Sequence, residues 1–283
     1  MPRLKGHHRT FYKHRLPMRL AHWVSALCLS ILLLSGLQIF NAHPYLYWGS
    51  ASDFDAPWLA IDARNTEQSG IEGQVRLYGH SLETTGVLGL SGGEGGNADQ
   101  RAFPSWLTIP GGRWLSMGRS WHFFFAWLLV INASLFLIWA AFSGHLRELI
   151  PTRADWRGFG GSVMDHIRFR HPAGEAATRY NVLQKLAYLF VIFGLGSLIV
   201  TTGLCMSPRM DTVMSDFLTL YGGRQSARSI HFLAASGLVL FVVVHLFEVI
   251  ITGPLNNLRS MITGHYRYRT DAEHNNHKEN RDD

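Results

Sequence analysis

The sequence predicts an integral membrane protein of the all-α class, a four-helix transmembrane bundle with a long loop between its first and second helices. Three observations carry that expectation. Four apolar stretches, Leu20 to Phe40, Trp121 to Phe142, Leu183 to Leu204 and Ile230 to Ile251, each reach the roughly 20 residues that a helix needs to cross a hydrocarbon core of about 30 Å. Hydrophobic residues make up 47% of the 283 positions against 16% charged, and the charged ones collect between the stretches. Histidines stand near the ends of three of the stretches, where an ionisable residue is expensive to bury and reads by default as functional.

Composition also excludes several classes. The formal net charge is +6, but the basic residues gather at helix ends instead of forming a stripe on a soluble face, so nucleic acid is not an expected partner. Only Cys28 and Cys205 are present, both inside spans. That rules out a disulfide framework, an iron–sulfur cluster and the Cys-x-x-Cys-His attachment of a covalent haem.

Residues 1–19 hold six basic side chains and no acid, which keeps this end cytoplasmic by the positive-inside rule. The first span, residues 20–40, then runs outward. Its apolar run is too long for a secretory signal and lacks a small-residue cleavage site, so it reads as a retained anchor. Residues 41–118 carry eight acids against four arginines and form the outer connection. Four tryptophans (Trp48, Trp58, Trp106, Trp114) argue for ordered parts, either a lid or a partner platform, and the glycine run Gly89–Gly96 reads as a mobile tip. The second span, residues 119–142, returns inward to a cytoplasmic connection at 143–181, which has six arginines and four acids. The third, residues 182–206, has no histidine and three glycines (Gly194, Gly196, Gly203), so its expected role is packing. A short outer connection, 207–227, leads to the fourth span at 228–251. Residues 252–283 read as a polar, solvated cytoplasmic tail.

This topology sorts the histidines. His231 and His245 lie fourteen residues apart on the fourth span, about 21 Å along the axis and nearly on one face. His22 opens the first span from inside and His122 opens the second from outside. The histidines therefore pair by depth, His22 with His245 at the inner level and His122 with His231 at the outer. Each pair can supply two axial nitrogens to a b-type haem, and bis-histidine ligation favours electron transfer over oxygen activation. Arg19, Arg119 and Arg228 each precede a histidine by three residues, on the same face and towards water, where haem propionates are expected. Gly36, fourteen residues beyond His22, falls at the outer depth and leaves room for a porphyrin. Glu248, one turn past His245, is expected as an interfacial acid paired with an arginine, with proton exchange at a quinone as its alternative. His14 in the polar N-terminus and His166 in the inner connection carry little weight, and His145, at the end of a helix, is borderline.

These residues resemble the bacterial di-haem cytochrome b family, the membrane b-type subunits of nickel-iron hydrogenases, respiratory formate dehydrogenases and thiosulfate reductases. The resemblance rests on Arg19-x-x-His22-Trp23 with Ser35-Gly36, on His122 opening the second span, and on His231 and His245 at their fourteen-residue spacing. It implies a bundle holding two haems b, with the fourth helix ligating both. It also implies electron exchange between an extracytoplasmic redox subunit and the quinone pool in a bacterial inner membrane, both termini being cytoplasmic. The quinone is expected near the inner haem, and the chain acts as an electron-transfer subunit instead of a catalytic one. The chain departs from the shortest members, stand-alone cytochromes of the same fold, in its connection from Asn41 to Gly118, near which an outer partner is expected to dock. A molybdopterin oxidoreductase is the favoured partner by analogy. Two other readings stand beside this one. A stand-alone cytochrome would pass electrons from a small reductant such as superoxide to quinone. A haem-free metal or proton transporter would use the histidines as a relay, but the chain shows neither an inverted repeat nor a broken midplane helix.

Overall fold

The computed structural model describes residues 7–67, 70–92, 97–168, 180–207, 210, 213 and 215–270. In chain order, β1 (His7–Tyr12) precedes α1 (Leu16–Phe40), and a β-rich segment follows with β2 (Tyr45–Leu46), β3 (Leu59–Thr66), β4 (Gly70–Leu77), β5 (His80–Glu83), β6 (Gly89–Gly92) and β7 (Ala98–Arg101). Then come α2 (Leu115–Phe142), the short helices α3 (His145–Leu149), α4 (Arg153–Arg157) and α5 (Phe159–Ile167), and α6 (Val182–Leu189). A six-residue π-helical turn, Phe190–Leu195, joins α6 to α7 (Gly196–Cys205), and α8 (Ser215–Leu220), α9 (Arg224–Ile251), α10 (Pro254–Thr263) and β8 (His265–Thr270) complete the chain.

Four helical runs are long and apolar enough to cross a membrane: Leu16–Phe40, Leu115–Phe142, Val182–Cys205 and Arg224–Ile251. Their large apolar side chains include many that are exposed, among them Phe124, Leu135, Leu240 and Ile250. An aqueous protein rarely shows contiguous apolar surface of this kind, and hydrocarbon is the surrounding that suits it. The spans begin on ordinary helix signals. Pro17 sits in the first turn of α1, where its missing N–H costs nothing. Asn181 and Gln184 close a capping box at the start of α6.

The chain divides into two compact units, Val24–Ala133 with Leu195–Leu238, and Met1–Trp23 with Ser134–Gly194 and Val239–Asp283. In the first, the expectation of an all-α chain is corrected. The connection after α1 folds as a four-stranded antiparallel sheet, β2-β3-β4-β5, and a two-stranded β6-β7 ribbon. Leu46, Trp58, Leu59, Ile61 and Ala102 close a core with Phe40 of α1, against which Phe232 of α9 packs. Burying that apolar surface is what orders the segment, and a pattern search tuned to long spans does not register strands of two to eight residues. The expectation of a glycine-rich mobile tip is corrected as well. Gly89 to Gly92 form β6, and Gly89 adopts φ +76 with a Cβ that would stand 2.2 Å from Asp62 O, so the glycine permits strand contact. Positions 93–96 lie outside the described residues.

The inserted sheet is tied to the helices by buried polar bonds. Arg101 donates to Gln38 Oε1 of α1 at 2.6 Å and to Gly111 O at 2.9 Å. Trp58 Nε1 donates to Ser229 Oγ at 2.9 Å, and Ser229 Oγ donates to Tyr47 O at 2.6 Å. Gly49 O accepts from Gln225 N and Ser226 N at 3.0 and 3.1 Å, which satisfies first-turn donors of α9 that have no partner within the helix.

In the other unit, β1 and β8 pair antiparallel from His7 opposite Thr270 to Tyr12 opposite His265. The tail is thus corrected from a solvated coil to a helix and a strand as far as Thr270. Gly253 turns the chain with φ +104 and Pro254 starts α10. The remainder of the tail, 271–283, and positions 169–179 of the connection before α6 lie outside the described residues. Within that connection Thr152 and Asp155 cap α4, and Asp155 takes a 2.9 Å bond from Lys185 of α6.

Candidate functional site

Each unit holds one pair of the four span histidines. In the first, the rings of His122 on α2 and His231 on α9 have centroids 6.3 Å apart and planes at 60°. In the second, His22 on α1 and His245 on α9 stand 6.2 Å apart at 59°. All four imidazoles are half-buried. A metal gripped by two imidazole nitrogens accounts for this gap, because two metal–nitrogen bonds of about 2.0 Å and the two ring radii add to roughly the same length. Among the described residues, no cluster of three or more His, Cys, Asp or Glu side chains is placed to hold a metal ion. The donor set is therefore two nitrogens per site, which suits a macrocycle that brings its own four equatorial ligands.

Two hydroxyls orient the His122–His231 pair. Ser35 Oγ lies 3.1 Å from His122 Nδ1 and gives its proton to Ile31 O at 2.7 Å. Thr202 Oγ1 lies 3.1 Å from His231 Nδ1 and gives its proton to Leu198 O. A hydroxyl has one proton, so each oxygen is left to accept Nδ1–H from its histidine. That tautomer leaves the Nε2 lone pair for iron. A glycine follows each hydroxyl residue. A Cβ on Gly36 would stand 3.4 Å from His122 Cε1, and one on Gly203 would stand 3.2 Å from His231 Cε1. The close neighbour of Gly36 is thus the His122 imidazole.

Packing orients the other pair. Trp23 meets the His22 ring edge-on at 5.2 Å and 88°, and Phe241 stacks on His245 at 5.9 Å and 15°. Trp23 Nε1 donates to Met261 O at 3.1 Å, anchoring the indole to α10. His22 Nδ1 is buried without a hydrogen-bond partner among the described residues.

The three arginines at a common spacing have three different surroundings. Arg19 Nη1 donates to Ile262 O at 2.8 Å, in the last turn of α10 where helix carbonyls favour a cation. Arg119 is exposed and lies over the Phe123 ring at 5.8 Å. Arg228 donates to Tyr45 O at 3.0 Å and to His43 O, clasping the strand that opens the inserted sheet. Glu248 pairs with His166 Nε2 at 3.1 Å, which corrects the expected arginine partner. Thr202 was not singled out by sequence, Gly203 was expected only as a packing glycine, and His14, His145 and His166 were not expected at a site. Thr202-Gly203 was detectable as a second hydroxyl-glycine pair matching Ser35-Gly36.

Four apolar spans and two opposed imidazole pairs define an integral membrane protein with paired-histidine sites suited to haem. The chain belongs to the prokaryotic cytochrome b561 family, whose profile matches residues 13–264. It is a membrane b-type cytochrome of electron transfer, and haem b is the cofactor that goes with that family. Among curated proteins it is 34% identical over 163 residues to YedZ1 of Azospira oryzae, by its assigned name a protein-methionine-sulfoxide reductase subunit. The match takes in 57% of this chain and 77% of that relative.

Proposed function

We propose that the chain is a di-haem b-type cytochrome that carries electrons across a bacterial inner membrane between the quinone pool and an extracytoplasmic oxidoreductase subunit. The observation that carries this reading is the repeated geometry of two imidazole pairs, 6.2 and 6.3 Å between centroids, both drawing one ligand from α9. His122 and His231 hold the outer haem, and His22 and His245 the inner one. Held between two imidazoles, each haem would supply one-electron redox chemistry.

The protein's own part is to bind and orient. Ser35 and Thr202 accept at Nδ1, which would leave Nε2 of His122 and of His231 to hold the metal. Gly36 and Gly203 give those rings their space. Arg119, with its guanidinium exposed, is suited to a propionate at the outer haem, and Arg228 keeps further donors beyond its two carbonyl bonds. Near the inner haem, the ionisable pair of Glu248 and His166 lies within one turn of His245 and takes the protons of a quinol.

The ordered insertion favours a docked partner over a stand-alone cytochrome. A sheet anchored under α9 by Trp58, Arg228 and Gly49 presents Trp48, Phe54, Tyr78 and Trp106 as exposed aromatics, the residue types enriched at protein interfaces. By likeness to the named relative, the partner is an oxidoreductase, with a molybdopterin enzyme as the favoured class. A reduced-minus-oxidised spectrum with a haem count on purified protein tests the reading. Two haems b per chain are expected, a count of one removes the paired-site model, and absence of haem b ends it.

A further inference from the structure

The unit that holds His22 and His245 contains three more buried nitrogens without a hydrogen-bond partner among the described residues: His14 Nδ1, Arg19 Nε and His145 Nε2. They come from the link between β1 and α1, from the first turn of α1 and from the start of α3. His14 and His145 are each only 8% exposed. Buried polar groups are as a rule hydrogen-bonded, and three orphans in one neighbourhood mark a missing common partner.

That neighbourhood is real in space. His14 N donates to Gly264 O at 3.2 Å, and a Cβ on Gly264 would stand 2.9 Å from His14 O and 3.2 Å from Arg19 Nη1. Burial first, and then the charges of Lys13, His22, His145 and Arg19, push the His14 imidazole down to about 4. Among the described residues, Glu148 Oε2 is the acid paired with these groups, 2.9 Å from His145 Nδ1. The opposite face of His145 is closed by Phe136 and Trp139.

The donors state the chemistry of what is missing. Arg19 Nε–H is a donor in every protonation state, so the partner accepts. The surrounding groups are cationic or imidazole, so the partner is an anion. We propose that His14, Arg19 and His145 form a carboxylate cradle for the propionates of the haem carried by His22 and His245, with His14 and His145 as members that no motif indicates. The proposal rests on the reading of that pair as a haem site. In the cradle His14 carries its proton on Nδ1. His145, paired at Nδ1 with Glu148 Oε2, would donate from Nε2 to a propionate.

The test is a comparison of haem b with its dimethyl ester, whose carboxylates are masked. Full-length haem-free protein in detergent is titrated optically with each form, in a His122→Ala background that confines binding to the inner pair. The parent is expected to prefer haem over the ester by at least about a hundredfold, since each charge-assisted bond is worth a factor of about ten or more. His14→Leu and His145→Leu each lower that preference about tenfold, while His14→Gln and His145→Gln, which keep a donor, recover most of it. The readout is a ratio, so a general loss of stability cancels. An unchanged ratio in both leucine variants overturns the cradle. So does a parent that binds both forms equally, which would assign the donors to another anion such as a lipid phosphate. A parent that binds neither form sinks the haem reading itself, and the cradle with it.

Discussion

His122 and His231 are each bonded at Nδ1 to a hydroxyl, whereas His22 and His245 are steered by an indole and a phenyl ring, and His22 Nδ1 has no hydrogen-bond partner among the described residues. The two sites have nearly equal ring separations and tilts. The same ligand geometry is thus reached by two routes, one directional and one steric. A hydrogen bond at Nδ1 fixes the tautomer and raises the basicity of the ligand nitrogen. Aromatic packing fixes the ring plane but leaves the proton free to choose. If each pair holds a haem, as proposed, the His122–His231 site should hold it in one well-defined state at the lower potential, and the His22–His245 site should respond more to its surroundings.

The largest expected effect separates the sites outright. His231→Ala should remove the outer haem and His245→Ala the inner one, halving the pyridine haemochrome count in each case. If either substitution empties both sites, the division between the pairs fails.

Next in size is the insertion, which belongs to the outer site alone. Trp58→Ala removes a core indole and its bond to Ser229, two residues before His231. A loss of about 3–5 kcal/mol is expected for a buried Trp truncation, read as a lower unfolding temperature with looser outer haem. An unchanged outer haem would show that the sheet folds without supporting α9.

The hydroxyls come third. Ser35→Ala and Thr202→Val should each weaken outer haem retention by about 10–100-fold and raise the outer midpoint potential, the inner haem staying put in a redox titration. Equal shifts at both haems would contradict a local orienting role.

The smallest effect concerns acid. Thr152 and Lys185 hold Asp155 at about 2, below its ordinary 3.8. The folded pKa is the lower one, so this contribution is complete above pH 3.8 and is lost as pH falls towards about 2. Between pH 5 and 9 the thermal stability gap between wild type and Asp155→Asn should be constant, and it should close near pH 2. A gap that persists there would remove the charge from the account.

How legible the molecule was differs by element. The spans were readable because twenty or so apolar residues in a row have few alternatives in water. Among the paired histidines, positive-inside topology was enough to place His22 opposite His245 and His122 opposite His231 before any coordinates. The β-sheet was not readable. Its strands alternate weakly, β3 buries Leu59, Ala60 and Ile61 in succession, and its core borrows Phe40 and Phe232 from helices distant in sequence. Glu248 was read as an acid seeking an arginine, and it met His166 because α5 returns to α9. The arginine spacing was a real regularity of sequence, yet Arg19, Arg119 and Arg228 met α10, Phe123 and β2 respectively.

What the sequence determined by itself is periodic or compositional: which segments are apolar, which face of α9 carries both histidines, and which arginines precede a histidine by three. Helix rise and twist convert such intervals directly into direction and depth. What only the tertiary structure decided is how each histidine is held and which groups the other polar side chains meet. Ser35 reaches His122, Thr202 reaches His231, and His14 and His145 turn buried nitrogens towards the same neighbourhood. Those pairings depend on how separate elements pack, and packing answers to the shape of the whole buried surface, which no local interval encodes.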